Sequence, residues 1–301
     1  MRNYIPYGRQ YIDNLDKRLV LSSLKKNLIT TGDYVQMFEN KVRKFLKVKY
    51  SLSCNSGTSA LHLAFIAAGI KKNDIIIMPS INFISAFNMA KLFKPKIYFA
   101  DIDPNTGQMT PQTLIDCIKK NKIKKIKLIL TMYMGGYPEN IDGFYKLKKK
   151  FNFLIIEDAC HAFGAAYRFK DANYKVGSCK HADISTFSLH PLKPITSGEG
   201  GLVTTNNYKF YKIAKTSRSH GIIRNKKKHW EYDIVKSGFN YRLSDINCAL
   251  GISQIMKIGK FLKKRKKIYD FYLNNLDGYK NQIYFPNYNK KNKPSFHLII
   301  M

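Results

Sequence analysis

Acidic residues are scarce in this chain of 301 residues: 20 Asp plus Glu stand against 52 Lys plus Arg, a formal charge of +32. Arginine is scarce as well, since nine of the 52 basic residues are Arg and the rest are Lys. The planar arginine fork is the preferred reader of phosphates and base edges, so its shortage weakens nucleic-acid binding as an account of the charge. Lys, Asn, Ile, Tyr and Phe are abundant together and share A/T-rich codons, so coding bias explains the excess without a polyanionic partner. The basic clusters at 119–127, 146–150, 224–228, 263–267 and 290–293 are scattered, mostly where helix ends or loops are expected. That pattern reads as solvated faces.

Long apolar runs are missing too. Stretches such as 61–70 reach ten residues, about half of what a bilayer span needs. No secretory leader opens the chain, and a soluble, cytoplasmic, reduced protein is expected. Cysteine is sparse: Cys54, Cys117, Cys160, Cys179 and Cys248 are odd in number and far apart. With no CxxC pair and no zinc-like Cys/His spacing, neither a disulfide framework nor a metal centre is expected. Cys160 and Cys248 read as small buried residues rather than nucleophiles. A composition 45% hydrophobic and 13% aromatic excludes disorder as the main state.

What is present alternates. Apolar runs at 74–78 (DIIIM), 96–100 (KIYFA), 126–131 (IKLILT) and 153–156 (FLII) read as buried strands, and 59–68, 84–93, 110–120 and 142–150 carry helical periodicity. Short linkers between them imply an α/β fold, a parallel or mostly parallel sheet between helices, with ligands at the carboxyl ends of the strands. The last run, 296–301 (FHLIIM), is strand-like and stops without a turn or polar tail, so the chain is expected to be cut short there.

Three segments could carry chemistry. Residues 53–60 (SCNSGTSA) open a helix with a small, hydroxyl-rich turn, either a phosphate cradle or an ordinary N-cap. At 155–164 (IIEDACHAFG), Glu157 and Asp158 end a buried strand, either over the ligand crevice or as a helix start. A buried carboxylate there needs a partner such as a protonated nitrogen. In 185–205, Ser188, His190 and Lys193 precede a glycine-rich turn, and Lys193 lies in a loop between prolines. Partly desolvated, its amine could lose its proton and attack a carbonyl; the alternative is a plain loop lysine. A phosphate-holding helix start, a strand-end Asp and a loop Lys 35 residues later are together the contacts that hold pyridoxal phosphate.

These residues resemble the sugar-nucleotide aminotransferases of the DegT/DnrJ/EryC1/StrS family, which are fold type I pyridoxal-phosphate enzymes. The likeness runs through 5–13 (IPYGRQYID), 30–32 (TTG), 54–62 (CNSGTSALH), 79–88 (PSINFISAFN), 100–107 (ADIDPNTG), 155–165 (IIEDACHAFGA), 187–201 (FSLHPLKPITSGEGG), 218–222 (RSHGI) and 238–254 (GFNYRLSDINCALGISQ). The opening motif, the PIT after Lys193 and GFNYR tilt towards the pseudaminic acid branch, whereas 132–140 (MYMGGYPEN) is more like the wider family. The resemblance implies an aspartate-aminotransferase-like three-layer sandwich with a large cofactor-binding domain over 1–250. The start of a small, incomplete C-terminal domain would occupy 251–301.

By the same resemblance, Lys193 is the catalytic lysine that joins the cofactor's aldehyde and Asp158 the partner of the pyridine nitrogen. Phe83 stacks on the ring, His161 lies near the ring oxygen, and Ser188 with Gly57 and Thr58 holds the phosphate. Asn240 reaches the phosphate from a neighbouring subunit, which implies a homodimer. Arg218, His220 and Arg242 are candidates for the substrate's diphosphate. The implied reaction moves the amino group of L-glutamate, leaving 2-oxoglutarate, to C4 of a UDP-linked 4-keto-6-deoxy-N-acetyl sugar. Nucleotide sugars of the perosamine or bacillosamine type are the alternatives, as is an inactive fragment. No nucleic acid, membrane or metal partner is implied.

Overall fold

The computed structural model describes residues 6–225, 228, 230–279 and 281–301. Ile5 of the 5–13 motif, with Lys226 and Lys227 of the 224–228 cluster, lies outside the described residues. The first five strands are β1 (Tyr50–Cys54), β2 (Ile75–Pro79), β3 (Lys96–Ala100), β4 (Leu128–Met132) and β5 (Leu154–Asp158). A small hairpin, β6 (Ala166–Phe169) and β7 (Ala172–Lys175), precedes β8 (Ile184–Ser188) and β9 (Gly201–Thr205). Seven of these make one sheet, in the order β1-β9-β8-β5-β4-β2-β3, and all run one way except β9. The expected mostly parallel sheet is therefore present, and the four apolar runs fall within two residues of β2 to β5.

Both faces of the sheet are covered, which is why its strands read as continuous apolar runs. Ile76, Met78, Leu128, Leu130 and Ile156 project to one face. There they meet α3 (Gly57–Ala68), α4 (Ser85–Lys91) and α7 (Tyr208–Arg218). The alternate residues Ile77, Ile129 and Ile155 project to the other, against α5 (Pro111–Lys120) and α6 (Ile141–Phe151). On that side Phe187 and Leu202 also pack on α2 (Asp33–Leu46) and α8 (Asp245–Asn275), with α1 (Asn14–Leu24) laid along α8. The helical periodicities at 59–68, 84–93, 110–120 and 142–150 are α3 to α6. A further hairpin, β10 (Ile222–Arg224) with β11 (Tyr232–Ile234), stands apart from the sheet.

Three expectations are corrected or refined here. Residues 296–301 form no strand, because Phe296 adopts φ +48° and turns the chain inward. Its ring packs on Tyr137 and Tyr269, with centroids 5.7 and 4.6 Å away, and the His297 amide donates to the Gly135 carbonyl at 2.8 Å. The boundary drawn at 250/251 falls inside the unbroken helix α8. The 263–267 cluster lies in mid-helix on α8: its four lysines are exposed, whereas Arg265 is half-buried and donates to the His297 carbonyl at 3.0 Å. Among the described residues, no helix is long and apolar enough to cross a membrane and no metal-binding cluster is found.

Candidate active site

A cavity of about 570 Å³ opens at the carboxyl ends of the strands, where β5, β8 and the start of α3 converge. The β1–α3 turn forms its first wall. Ser56 is the N-cap, its Oγ accepting from the Ser59 amide at 3.0 Å. That satisfies one donor of the first turn, while the amides of Gly57 and Thr58 have no intrahelical acceptor and both residues line the cavity. The turn is thus a capped helix start with donors left over. A Cβ at Gly57 would stand 2.8 Å from the Ser188 Cβ, so only glycine lets the helix abut the end of β8.

The second wall comes from β5, and alternation separates its two acids. Glu157 points away from the cavity into the core, where Tyr133 donates to it at 2.6 Å and Ser185 through a very short bond. Asp158 points into the cavity, buried, and accepts from the Cys160 amide at 3.2 Å. Burial pushes its carboxyl up from the ordinary range, and hydrogen bonds from Cys160, then the nearby Lys193 ammonium, pull it partly back.

Lys193 arrives on the loop between β8 and β9. That loop is pinned at its base, where the Leu189 amide donates to Gly200 at 2.8 Å and the Ser197 amide to Leu189 at 3.0 Å. The Asn247 side-chain amide fastens Ser197 from α8 at 2.6 Å. Held in this way, the amine faces the cavity, and burial lowers its pKa from the ordinary lysine value. No hydrogen bond or ion pair to it is found among the described residues.

His161 lies beside it, buried, with Nδ1 lacking a hydrogen-bond partner. Burial, then the neighbouring Lys193 charge, drops its pKa to about 3, so it is a neutral imidazole at physiological pH. His297 packs against it, ring centroids 4.3 Å apart, and also lines the cavity. Sequence reasoning passed over His297. Its signal was a single polar side chain interrupting the apolar run 296–301. Cys160 corrects another expectation: it is half-buried and lines the cavity, although burial and the Asp158 charge push its thiol up and keep it protonated.

The cavity therefore gathers Gly57, Thr58, Phe83, Asp158, His161, Ser188 and Lys193. Phe83 stands at the rim with 68% of its surface exposed. Asn240, His220, Arg242 and Arg218 do not line it. Asn240 and His220 are exposed and Arg242 is half-buried. Arg218 is corrected outright as a diphosphate contact. Its guanidinium is buried and bonded to Glu39 and to the Ser53 carbonyl, each at 2.8 Å.

An unpaired buried carboxylate opposite an unpaired amine, beside a helix start with spare amides, fits pyridoxal phosphate at its ring nitrogen, aldehyde and phosphate. Fold and site together define a fold type I pyridoxal-phosphate enzyme. The chain belongs to the DegT/DnrJ/EryC1/StrS aminotransferase family, which it matches over residues 10–301. It is 41% identical over 268 residues to the UDP-4-amino-4,6-dideoxy-N-acetyl-beta-L-altrosamine transaminase of Campylobacter jejuni, covering 89% of this chain and 68% of that one. The GDP-perosamine synthase of Escherichia coli O157:H7 is 33% identical, covering 91% of this chain and 72% of that one. Among solved structures, Helicobacter pylori PseC, an aminotransferase involved in the biosynthesis of pseudoaminic acid, is similar with a TM-score of 0.85. It is 31% identical, and the match covers 98% of this chain and 76% of that one. The chain is a pyridoxal-phosphate-dependent sugar-nucleotide aminotransferase.

Proposed function

We propose that the enzyme moves the amino group of L-glutamate to C4 of a UDP-linked 4-keto-6-deoxy-N-acetyl sugar, a step of pseudaminic acid biosynthesis. The observation that carries the chemistry is that Asp158 and Lys193 face one cavity without forming an ion pair with each other. The choice of sugar is supported by two Campylobacter jejuni relatives of the altrosamine transaminase type, at 41% and 39% identity, and by the likeness to PseC.

When bound, pyridoxal phosphate supplies the electron sink that stabilises a carbanion at the carbon bearing the transferred amino group. Asp158 holds the ring nitrogen protonated. That cation is the partner its buried carboxylate lacks, and pairing brings its pKa back down. Lys193 would hold the cofactor by its aldehyde, and its amine, freed by the donor's amine, would take the proton from the donor's α-carbon and hand it to the cofactor's aldehyde carbon. Its lowered pKa keeps more of the amine unprotonated and able to act as base. With water taken up, 2-oxoglutarate would leave, and in the return half the same amine would move a proton in the opposite sense, delivering it to the sugar carbon that receives the amino group. Gly57, Thr58 and Ser188 fix the phosphate, so that the amine meets a ring held in register. Phe83 would cover the ring, and His161, neutral at physiological pH, would face the cofactor without adding charge.

Asn240 lies on an exposed strip beside the β1–α3 turn, its carbonyl accepting from the Asn55 side chain at 3.4 Å. We assign it to the phosphate of a neighbouring subunit, which makes a homodimer the active form. The test is amino transfer from L-glutamate to a panel of UDP-, GDP- and dTDP-linked 4-keto sugars. Turnover is expected with the UDP-N-acetyl sugar. Preference for the GDP sugar would instead support the perosamine reading, which the 33% relative favours.

A further inference from the structure

β1 is an edge strand of the central sheet, and one side of its backbone has no neighbouring strand. Such an edge leaves N–H and C=O groups in need of partners. At Ser53, one residue before the end of β1, an ion pair supplies both. Glu39 Oε1, from α2, accepts from the Ser53 amide at 2.9 Å and from its hydroxyl at 2.9 Å. Arg218, the last residue of α7, donates from one guanidinium nitrogen to the Ser53 carbonyl and to the same Glu39 oxygen, both at 2.8 Å. The acceptor and the donor of a missing strand are thus replaced by two side chains that neutralise one another. Ser53 is fully buried and Arg218 is 7% exposed, so water offers no substitute.

The clamp does not stop at Ser53. The Arg218 backbone carbonyl accepts from the Tyr241 amide at 2.9 Å, and the Tyr241 carbonyl accepts from Asn55 at 2.9 Å. Ser53 and Asn55 are therefore both tied to Arg218, directly and through Tyr241, immediately before the cap Ser56 and the spare amides of Gly57 and Thr58. From the opposite side Gly201 pairs with Cys54, and a Cβ on Gly201 would stand 2.1 Å from the Ser56 carbonyl oxygen. The turn is gripped from both flanks.

We propose that the Glu39–Arg218 pair is a positioning device for the cofactor's phosphate: it sets the β1–α3 turn so that the first-turn amides stand ready for a dianion. Arg218 then acts on the phosphate through Ser53 and not by contact, which is why an arginine in a family motif sits outside the cavity. This rests on the reading that the start of α3 holds the phosphate.

The test compares affinity for pyridoxal phosphate with affinity for pyridoxal, which keeps the ring and aldehyde and lacks the phosphate. Both are measured by absorbance titration of the apo protein. The wild type should bind the phosphate ester far more tightly. In Arg218→Met the ratio of the two affinities should fall roughly tenfold or more, with pyridoxal binding unchanged, because sub-ångström misplacement is enough to spoil such contacts. Glu39→Gln keeps an oxygen for the Ser53 amide and loses only the charge that holds Arg218. It should give an intermediate ratio, and it decides the matter if Arg218→Met does not fold. A general loss of stability would weaken both ligands alike. A wild-type ratio near one would remove the phosphate reading of α3. A large wild-type ratio left unchanged in either folded variant would overturn the positioning role while leaving that reading intact.

Discussion

Two buried polar clusters in this molecule use the same residue types to opposite ends. In the seam between α1 and α8, Asp16 is 1% exposed and fully engaged. It accepts from the Asp13 amide at 2.8 Å, from Gln254 at 3.0 Å, and from Ser253 and Lys257 through very short bonds. Burial raises its pKa, but Lys257, Ser253, the Asp13 amide and Gln254 together outweigh it and hold the carboxyl at about 2. In the cavity, a buried Asp158 and a half-buried Lys193 are again acid and amine, yet they make no ion pair, and each is shifted towards its neutral form. A satisfied cluster holds the fold; an unsatisfied one is held open by the fold for a ligand.

Substitution in each cluster should therefore separate activity from stability. The largest effect is expected for Lys193→Ala, which should cut amino transfer by a factor of roughly 10²–10⁴ or more. Its apo protein should melt no lower than the wild type, because a half-buried, unpaired amine has gone. Lys257→Met makes the converse change. Leaving Asp16 buried without its cation should cost about 3–5 kcal/mol in a denaturant titration, with turnover per folded molecule preserved.

The pH profile sharpens the same contrast. Folded His161 titrates near 3 instead of its ordinary 6.5, so the unfolded chain binds the extra proton first. Stability should then fall as pH drops from about 6.5 towards 3, a slope that His161→Asn should flatten. Asp16 titrates near 2 instead of 3.8, so its contribution should be lost only between about pH 4 and 2. Asp16→Asn should remove that later loss alone. The smallest effect belongs to the exposed Lys266–Asp270 pair on α8, at 2.6 Å. Lys266→Ala should change stability by about 0.3–0.5 kcal/mol, and less at high salt.

The central sheet was legible in the sequence because both of its faces are buried, which turns each strand into an unbroken apolar run. The site was legible where one short segment carried a whole device: a glycine at a helix start, an acid at a strand end, a lysine in a rigid loop. What stayed hidden depended on partners distant in sequence. Nothing local distinguishes Glu157 from Asp158 before the pleat assigns them to opposite faces. Arg218 looked like a phosphate ligand because its partner Glu39 lies 179 residues away. His297 was masked by apolar neighbours that suggested a strand, until the positive φ at Phe296 turned it inward.

The central claim is that Lys193 and Asp158 are kept unpaired for pyridoxal phosphate. It is tested most directly by the visible absorbance of the reconstituted protein before and after addition of L-glutamate. The account predicts a band of lysine-bound cofactor that glutamate bleaches, and that Lys193→Ala fails to form. A Lys193→Ala protein that keeps the band and still transfers the amino group would contradict it.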